Sequence, residues 1–122
     1  MDKAEWKERI IRSCEEVGTY KSSFDDVIDV LAGIMARRDE AEILYEEMGA
    51  MTVVEHTNKG GSTNMVKNPA LVVIDDMNKT ALAYWRDLGL TPAGLKRIKE
   101  FKLQDEGKKS ALEVALEELT KD

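Results

Sequence analysis

One cysteine, Cys14, and one histidine, His56, stand in the 122 residues, so no internal disulfide is possible and a zinc site has almost no ligands to draw on. Aromatic residues make up only 6% and prolines number 2, leaving long stretches free of helix breakers. No apolar run approaches the ~20 residues that span a bilayer, and Met1-Asp2-Lys3-Ala4-Glu5-Trp6 lacks the apolar core of a secretion signal. A soluble chain in a reducing cytosol is the expectation.

Charged residues are abundant at 34%, and apolar residues reach 43%, a balance that favours helices with one solvated face around a modest core. The net charge of −6 is unevenly spread. Residues 1–48 hold 7 basic and 13 acidic side chains, for −6, and residues 49–104 hold 8 and 5, for +3. Residues 105–122 hold 3 and 6, for −3. A basic middle can still offer phosphate a positive patch if the fold displays it on one surface.

Trp6, Ile10, Cys14 and Val17 recur at helical spacing and predict a first helix from Asp2 to Val17, closed by Gly18. Within it, Cys14 reads as a small buried hydrophobe. Ser23, with Asp26 three residues on, resembles a capping box and opens a second helix. Phe24, Val27, Leu31, Ile34, Ala41, Tyr45 and Met48 keep its apolar stripe in phase as far as Gly49. A helix that long in a short chain must find a long partner, either within the chain or on another copy.

From Gly49 to Asn68 the period changes. Met51 to Thr57 is β-branched and short, Asn58-Lys59-Gly60-Gly61-Ser62 is turn-forming, and Thr63 to Lys67 follows. The segment reads as a β-hairpin or a loop of that shape, inserted at about residues 50–67. Asn68-Pro69 caps a third helix with stripe Leu71, Ile74, Asn78, Ala81, Trp85 and Leu88, and Thr91-Pro92 repeats the device for a fourth. Gln104 to Lys109 reads as a polar hinge containing Gly107. Ser110 with Glu113 then opens a short acidic amphipathic helix bearing Leu112, Leu116 and Leu119. The fold class is therefore mainly α: an antiparallel helical hairpin or bundle, a small β insertion and a C-terminal amphipathic helix. Residues 1–104 form the core and 105–122 the hinge and terminal helix.

Signatures of catalysis are scarce. Gly60-Gly61 lacks the downstream Lys-Ser/Thr of a phosphate loop. Asp25-Asp26 and Asp75-Asp76 could in principle hold magnesium, but each pair falls in the first turns of a helix, where acids complement the dipole. The reading is of a non-enzyme without cofactor or metal. Ala81 to Lys102 approximates a helix-turn-helix spacing, with Gly89 in the turn and Trp85 where a small residue is usual. Lys96, Lys99 and Lys102, with Arg97 among them, stand beside Leu95, Ile98 and Phe101; they offer either a phosphate-binding face or an ordinary solvated one. The acidic terminal helix either folds back on its own core or docks in a partner's groove.

The run Lys67-Asn68-Pro69-Ala70, the following helix, and Leu88-Gly89-Leu90-Thr91-Pro92-Ala93-Gly94-Leu95-Lys96-Arg97-Ile98 together resemble a family of phage terminase small subunits. The likeness extends upstream through Tyr45 and the Gly49–Asn68 segment and covers roughly residues 20–100. It implies a homo-oligomer, usually a ring, that marks viral double-stranded DNA for packaging in the host bacterial cytoplasm. It also implies recruitment or regulation of the large terminase subunit, which supplies the ATPase and nuclease. On this expectation DNA meets Lys96, Arg97, Lys99 and Lys102, aided by Arg9 and Arg12. Leu112, Leu116 and Leu119 dock the partner, and Phe24, Leu31, Tyr45 and Met48 join copies. Two alternatives stand beside it: a helix-turn-helix regulator binding one operator as a dimer, and a protein scaffold with no nucleic-acid role.

Overall fold

The computed structural model describes residues 1–120 and is mainly helical, with helices α1 (Lys3–Val17), α2 (Asp25–Glu47), α3 (Pro69–Asp87) and α4 (Pro92–Thr120). A hairpin of β1 (Val53–Thr57) and β2 (Thr63–Lys67) lies between α2 and α3. The part of the expected terminal helix at residues 121–122 lies outside the described residues.

Local chemistry sets most of the boundaries. The Asp2 carboxylate accepts the Glu5 amide at 2.8 Å to start α1, and Gly18, at φ 77°, closes it in the left-handed conformation that costs glycine least. The second helix departs from the expected Ser23 cap. Ser22–Phe24 form a 3-10 turn, and Phe24 stands at the N-cap of α2 with no side-chain hydrogen bond to it. Asp25 and Asp26 instead place two negative charges in the first turn, where the helix dipole favours them.

The core belongs to three helices. Trp6, Ile10 and Cys14 of α1 meet Ile28, Leu31, Ala32, Ile34 and Met35 of α2, with Ala81 of α3 and Leu88 just past its end. Trp6 and Trp85 meet edge to face, centroids 6.4 Å apart, a geometry that suits the ring quadrupoles. At the rim the Trp6 indole N–H donates to Asp39 at 2.7 Å, and Arg38 donates to the same carboxylate and to Asn78 of α3. The chain thus doubles back at the α1–α2 corner: Tyr20 bonds Asp25 close to it, whereas Trp6 reaches Asp39 far along α2. Burial pushes the Cys14 thiol up, against a smaller opposing pull from its hydrogen bond to Thr19, as suits a packing residue.

Asn68 does more than its expected capping. It is fully buried, and its side-chain oxygen accepts the Ala70 amide at 3.0 Å. Its amide group donates to Met51 O, and its backbone N–H donates to Thr52 O. These bonds clamp the base of the hairpin to the start of α3. The strands pair antiparallel from Val53↔Lys67 to Thr57↔Thr63, and Asn58 organises the turn by accepting from Gly60 and Ser62. Only Val54 and Val66 of the hairpin are even half-buried, so neighbouring helices lend slight support to a two-stranded unit that is marginal on its own.

The fourth helix differs most from expectation. Residues 104–109 form no hinge, because α4 runs unbroken for 29 residues, roughly 43 Å at 1.5 Å per residue. Gly107 weakens a helix by about 1 kcal/mol relative to alanine. Good helix formers flank it, however, and the Lys109–Asp105 pair at 3.4 Å bridges it. Ser110 therefore sits inside a helix and caps nothing. At the other end Thr91 Oγ accepts the Gly94 amide at 3.0 Å, the cap that Thr91-Pro92 leads one to expect.

A close approach aims this helix. A Cβ on Gly94 would lie 2.1 Å from the Arg86 carbonyl oxygen, so α4 crosses the end of α3 backbone to backbone. The small residue of the corner is thus Gly94, on the second helix, while Trp85 turns into the α1 contact. Gly89, at φ 75°, has equally little room, with Ile98 and Thr19 each 2.9 Å from a would-be Cβ. The Thr19 hydroxyl donates to Leu88 O at 2.7 Å and ties the α1–α2 corner to the same junction.

Two measurements check this account. Gly94→Ala forces the junction apart and should cost about 1–3 kcal/mol or more in denaturant unfolding. Unchanged stability would refute the backbone crossing. The second concerns Asp39. Burial alone would raise its pKa, but the Trp6 indole, the Met1 ammonium and Arg38 together hold it below the usual carboxylate range. A carboxylate depressed in the folded state contributes stability that is complete above its unfolded pKa of about 4 and is lost as pH falls below that. Asp39→Asn should therefore be less stable than the parent near pH 7, the gap closing toward pH 2–3 in thermal unfolding.

Candidate nucleic-acid interface and docking faces

Helix α4 carries most of the candidate residues, because only its first turns touch the body of the protein. Gly94 is buried and Leu95 and Ile98 are half-buried; from Lys99 to Thr120 every residue is exposed. Lys96, Arg97, Lys99 and Lys102 all face solvent, and among the described residues none makes an ion pair. At 100° per residue, Lys96, Lys99 and Lys102 step around the helix 60° apart and form one spiralling band. Arg97 falls on another side, separated from Lys96 by Glu100, and lines a groove with Arg86, Ile98 and Phe101. The lysine band and the Arg86–Arg97 pair are therefore two adjoining patches.

Arg9 and Arg12 do not join either patch. They lie on α1 in a concavity shared with Glu5, Glu8 and Glu16. Arg12 pairs with Glu8 at 3.1 Å, and Arg9 sits over the Trp6 ring, 5.3 Å from its centroid. Their charges are locally answered, which leaves little for a polyanion. The Glu8–Arg12 spacing of four, readable in the sequence, already signals that pairing.

The apolar candidates divide. Leu31 is 0% exposed and packs inside the subunit, so it cannot join copies: α1 and α3 flank the middle of α2 and consume that part of its stripe. Phe24 and Met48 keep over a third of their surface exposed, and Tyr45 is half-buried, its hydroxyl donating to Ala50 O at 2.9 Å. Ile43 and Leu44 were missed because they fall off the single stripe traced through α2. Both are more than half exposed, and Leu44 shares a shallow concavity with Ala70 and Val73 at the start of α3. Leu112, Leu116 and Leu119 are 62%, 53% and 81% exposed and continue the face of α4 that begins with Ile98 and Phe101.

His56 stands on β1 opposite Asn64, exposed, and Asp75 pairs with Lys67. Among the described residues no three His, Cys, Asp or Glu converge as metal ligands, and no helix is long and apolar enough to cross a membrane.

No curated protein and no solved structure matches the chain. A family model does: that of the phage terminase small subunit, over residues 3–105. The match spans the three-helix core, the hairpin, the α3–α4 corner and Lys96, Arg97, Lys99 and Lys102, and stops short of the leucine-bearing half of α4. The chain belongs to the phage terminase small-subunit family.

Proposed function

We propose that this chain is the DNA adaptor of a packaging motor: it assembles with copies of itself, holds viral double-stranded DNA on α4, and brings the large terminase subunit to that DNA. Family membership gives it a role in phage DNA packaging. The observation that carries the finer reading is the exposed, unpaired lysine band at the start of α4, in a chain that is otherwise acidic. Lys96, Lys99 and Lys102 contact phosphate along one strand, and Arg97 with Arg86 extends the contact across the groove. Contacts of this type are indifferent to sequence and act through counterion release. One chain offers few of them, so affinity comes from several copies on one duplex.

Copies meet through the apolar residues at the far end of α2, where Met48 and Tyr45 act together with Leu44, and through Phe24 at its start. A ring closed in this way presents its α4 helices as repeated, identical elements. The large subunit, which holds the catalytic machinery, docks on the distal leucines Leu112, Leu116 and Leu119. The chain itself acts as a non-enzyme in the host cytoplasm.

The combined Lys96→Glu, Lys99→Glu, Lys102→Glu variant should lose at least ~100-fold in duplex affinity at moderate salt. Losing three phosphate contacts per chain should also flatten the log–log salt dependence by roughly 3 per bound chain. Fluorescence anisotropy across a salt series measures both. Affinity and slope equal to those of the parent would remove the lysine band from the DNA contact. Separately, truncation after Gly107 should abolish capture of the large subunit while leaving duplex binding within about threefold of the parent. Retained capture would exclude the leucines.

A further inference from the structure

Beyond Lys99, α4 is a rod about 30 Å long at 1.5 Å per residue, with every side chain exposed; Phe101, Leu112, Leu116 and Leu119 share one side, while Leu103 and Val114 lie on others. Its sequence says what covers that side. Ile98, Phe101, Asp105, Lys108, Leu112 and Ala115 are spaced alternately by three and four residues, the seam of a coiled coil; Gly94, one step earlier, is already packed against the end of α3. The seam is centred between Glu106 and Gly107. Reflected through that point, Phe101 falls opposite Leu112, Ile98 opposite Ala115, and Asp105 opposite Lys108. The interruption in the apolar seam is thus one acid and one base, placed so that a reversed copy of the same helix neutralises both.

The flanking charges follow the same symmetry. In the near half Arg97 and Lys102 border the seam, and in the far half Lys109 and Glu118 do; Lys96, Lys99, Glu100, Glu113 and Glu117 point away from it. Arg97 and Glu118, which both border the seam, come within reach of each other, and Leu95 comes opposite Leu116. A groove is already present beside Ile98 and Phe101, rimmed by Arg86, Arg97 and the acid Asp87. On its other side Phe24, Lys21, Lys102 and Lys109 line a second groove against the same two apolar residues, together with Asp87, Asp105 and Glu106. Lys102 and Lys109 alone meet as like charges across the pair, and Lys109 already has Asp105 as partner. Parallel, in-register pairing has none of this. It stacks Asp105 on Asp105 and Lys108 on Lys108 inside the seam, and sets cations beside cations.

We infer that two copies of this chain pair through α4, antiparallel about a two-fold axis near Gly107, each leucine-bearing end seated on the start of the other's α4. Such an interface is isologous: one surface serves both copies, and the pair closes upon itself. It is separate from the lateral contact that would close a ring and does not rest on the packaging reading; it covers the leucines proposed for the large subunit, which therefore takes them only where the pair opens.

Nitroxide labels on the full chain test the geometry, introduced by Glu106→Cys or Thr120→Cys with Cys14→Ser. Antiparallel pairing places the two labels at 106 within about 20 Å, given packed helix axes 8–10 Å apart. It places the labels at 120 roughly 40 Å apart, one helix arm on each side of the axis. Short separations at both sites would show parallel pairing and overturn the inference. So would the absence of a short separation at 106, whether α4 stays single or lies on some other surface. A charge exchange gives an independent measure. Asp105→Lys alone and Lys108→Asp alone should each weaken self-association at least ~10-fold, and the double exchange should restore it to within about threefold. Far-UV circular dichroism confirms in each variant that the helix persists. Single exchanges without effect, or a double exchange no better than either, would refute the pairing. Duplex affinity measured on the same variants reads the DNA proposal separately.

Discussion

The absence of a side chain at position 94 governs the rest of the molecule. Where α4 crosses α3, the Arg86 carbonyl occupies the place of a Cβ, so the two backbones touch and only glycine serves. Gly89 turns the chain into that crossing, and the buried bond from Thr19 to Leu88 O holds the corner to the α1–α2 junction. Because this corner is rigid and the contact behind it short, α4 is aimed by its first two turns and then leaves the protein. Everything exposed that could carry function along α4 follows from that direction.

The elements legible in the sequence are those with local causes. Asp2, Gly18, Asn68-Pro69 and Thr91-Pro92 mark helix ends through hydrogen bonds or dihedrals that span only a few residues, and the structure uses all four as caps. Ser23 shows the limit of such signals. Tyr20 bonds Asp25 at the same corner, and a 3-10 turn takes the residues a Ser23 cap would have needed. The Ser110–Glu113 pattern failed for a related reason. A capping box permits a helix to start but does not oblige one to, and nothing in Gln104 to Lys109 is unfavourable enough to stop the helix already running.

Surface assignment was harder than element assignment, since periodicity reveals which residues share a face but not what covers it. Leu31 and Met48 belong to one stripe in the sequence; the fold buries the first beneath α1 and α3 and leaves the second open. The cations behave likewise. Lys96, Lys99 and Lys102 lie beyond any carboxylate partner in the fold, while Arg12 has Glu8 one turn away and Arg9 has the Trp6 ring. Arg97, adjacent to Lys96 in sequence, joins Arg86 across the α3–α4 groove, a neighbour that only the corner supplies.

The distribution of charge along α4 explains how an acidic protein can keep a cationic patch. Glu113 lies eleven or more residues beyond the last lysine of the band, about 16 Å along the axis, or some two Debye lengths at physiological ionic strength. Within one chain, therefore, the distal acids barely weaken the field at Lys96, Lys99 and Lys102; the acids that stand close to the band are Glu100, Asp105 and Glu106. In the antiparallel pair Lys96 and Lys99 stay on the outer faces, and Glu113 and Glu117 are turned away as well, so the lysine band remains open to a duplex while Arg97 meets Glu118 of the other copy. Salt weakens duplex binding more than self-pairing, since a duplex brings many phosphates and no apolar seam.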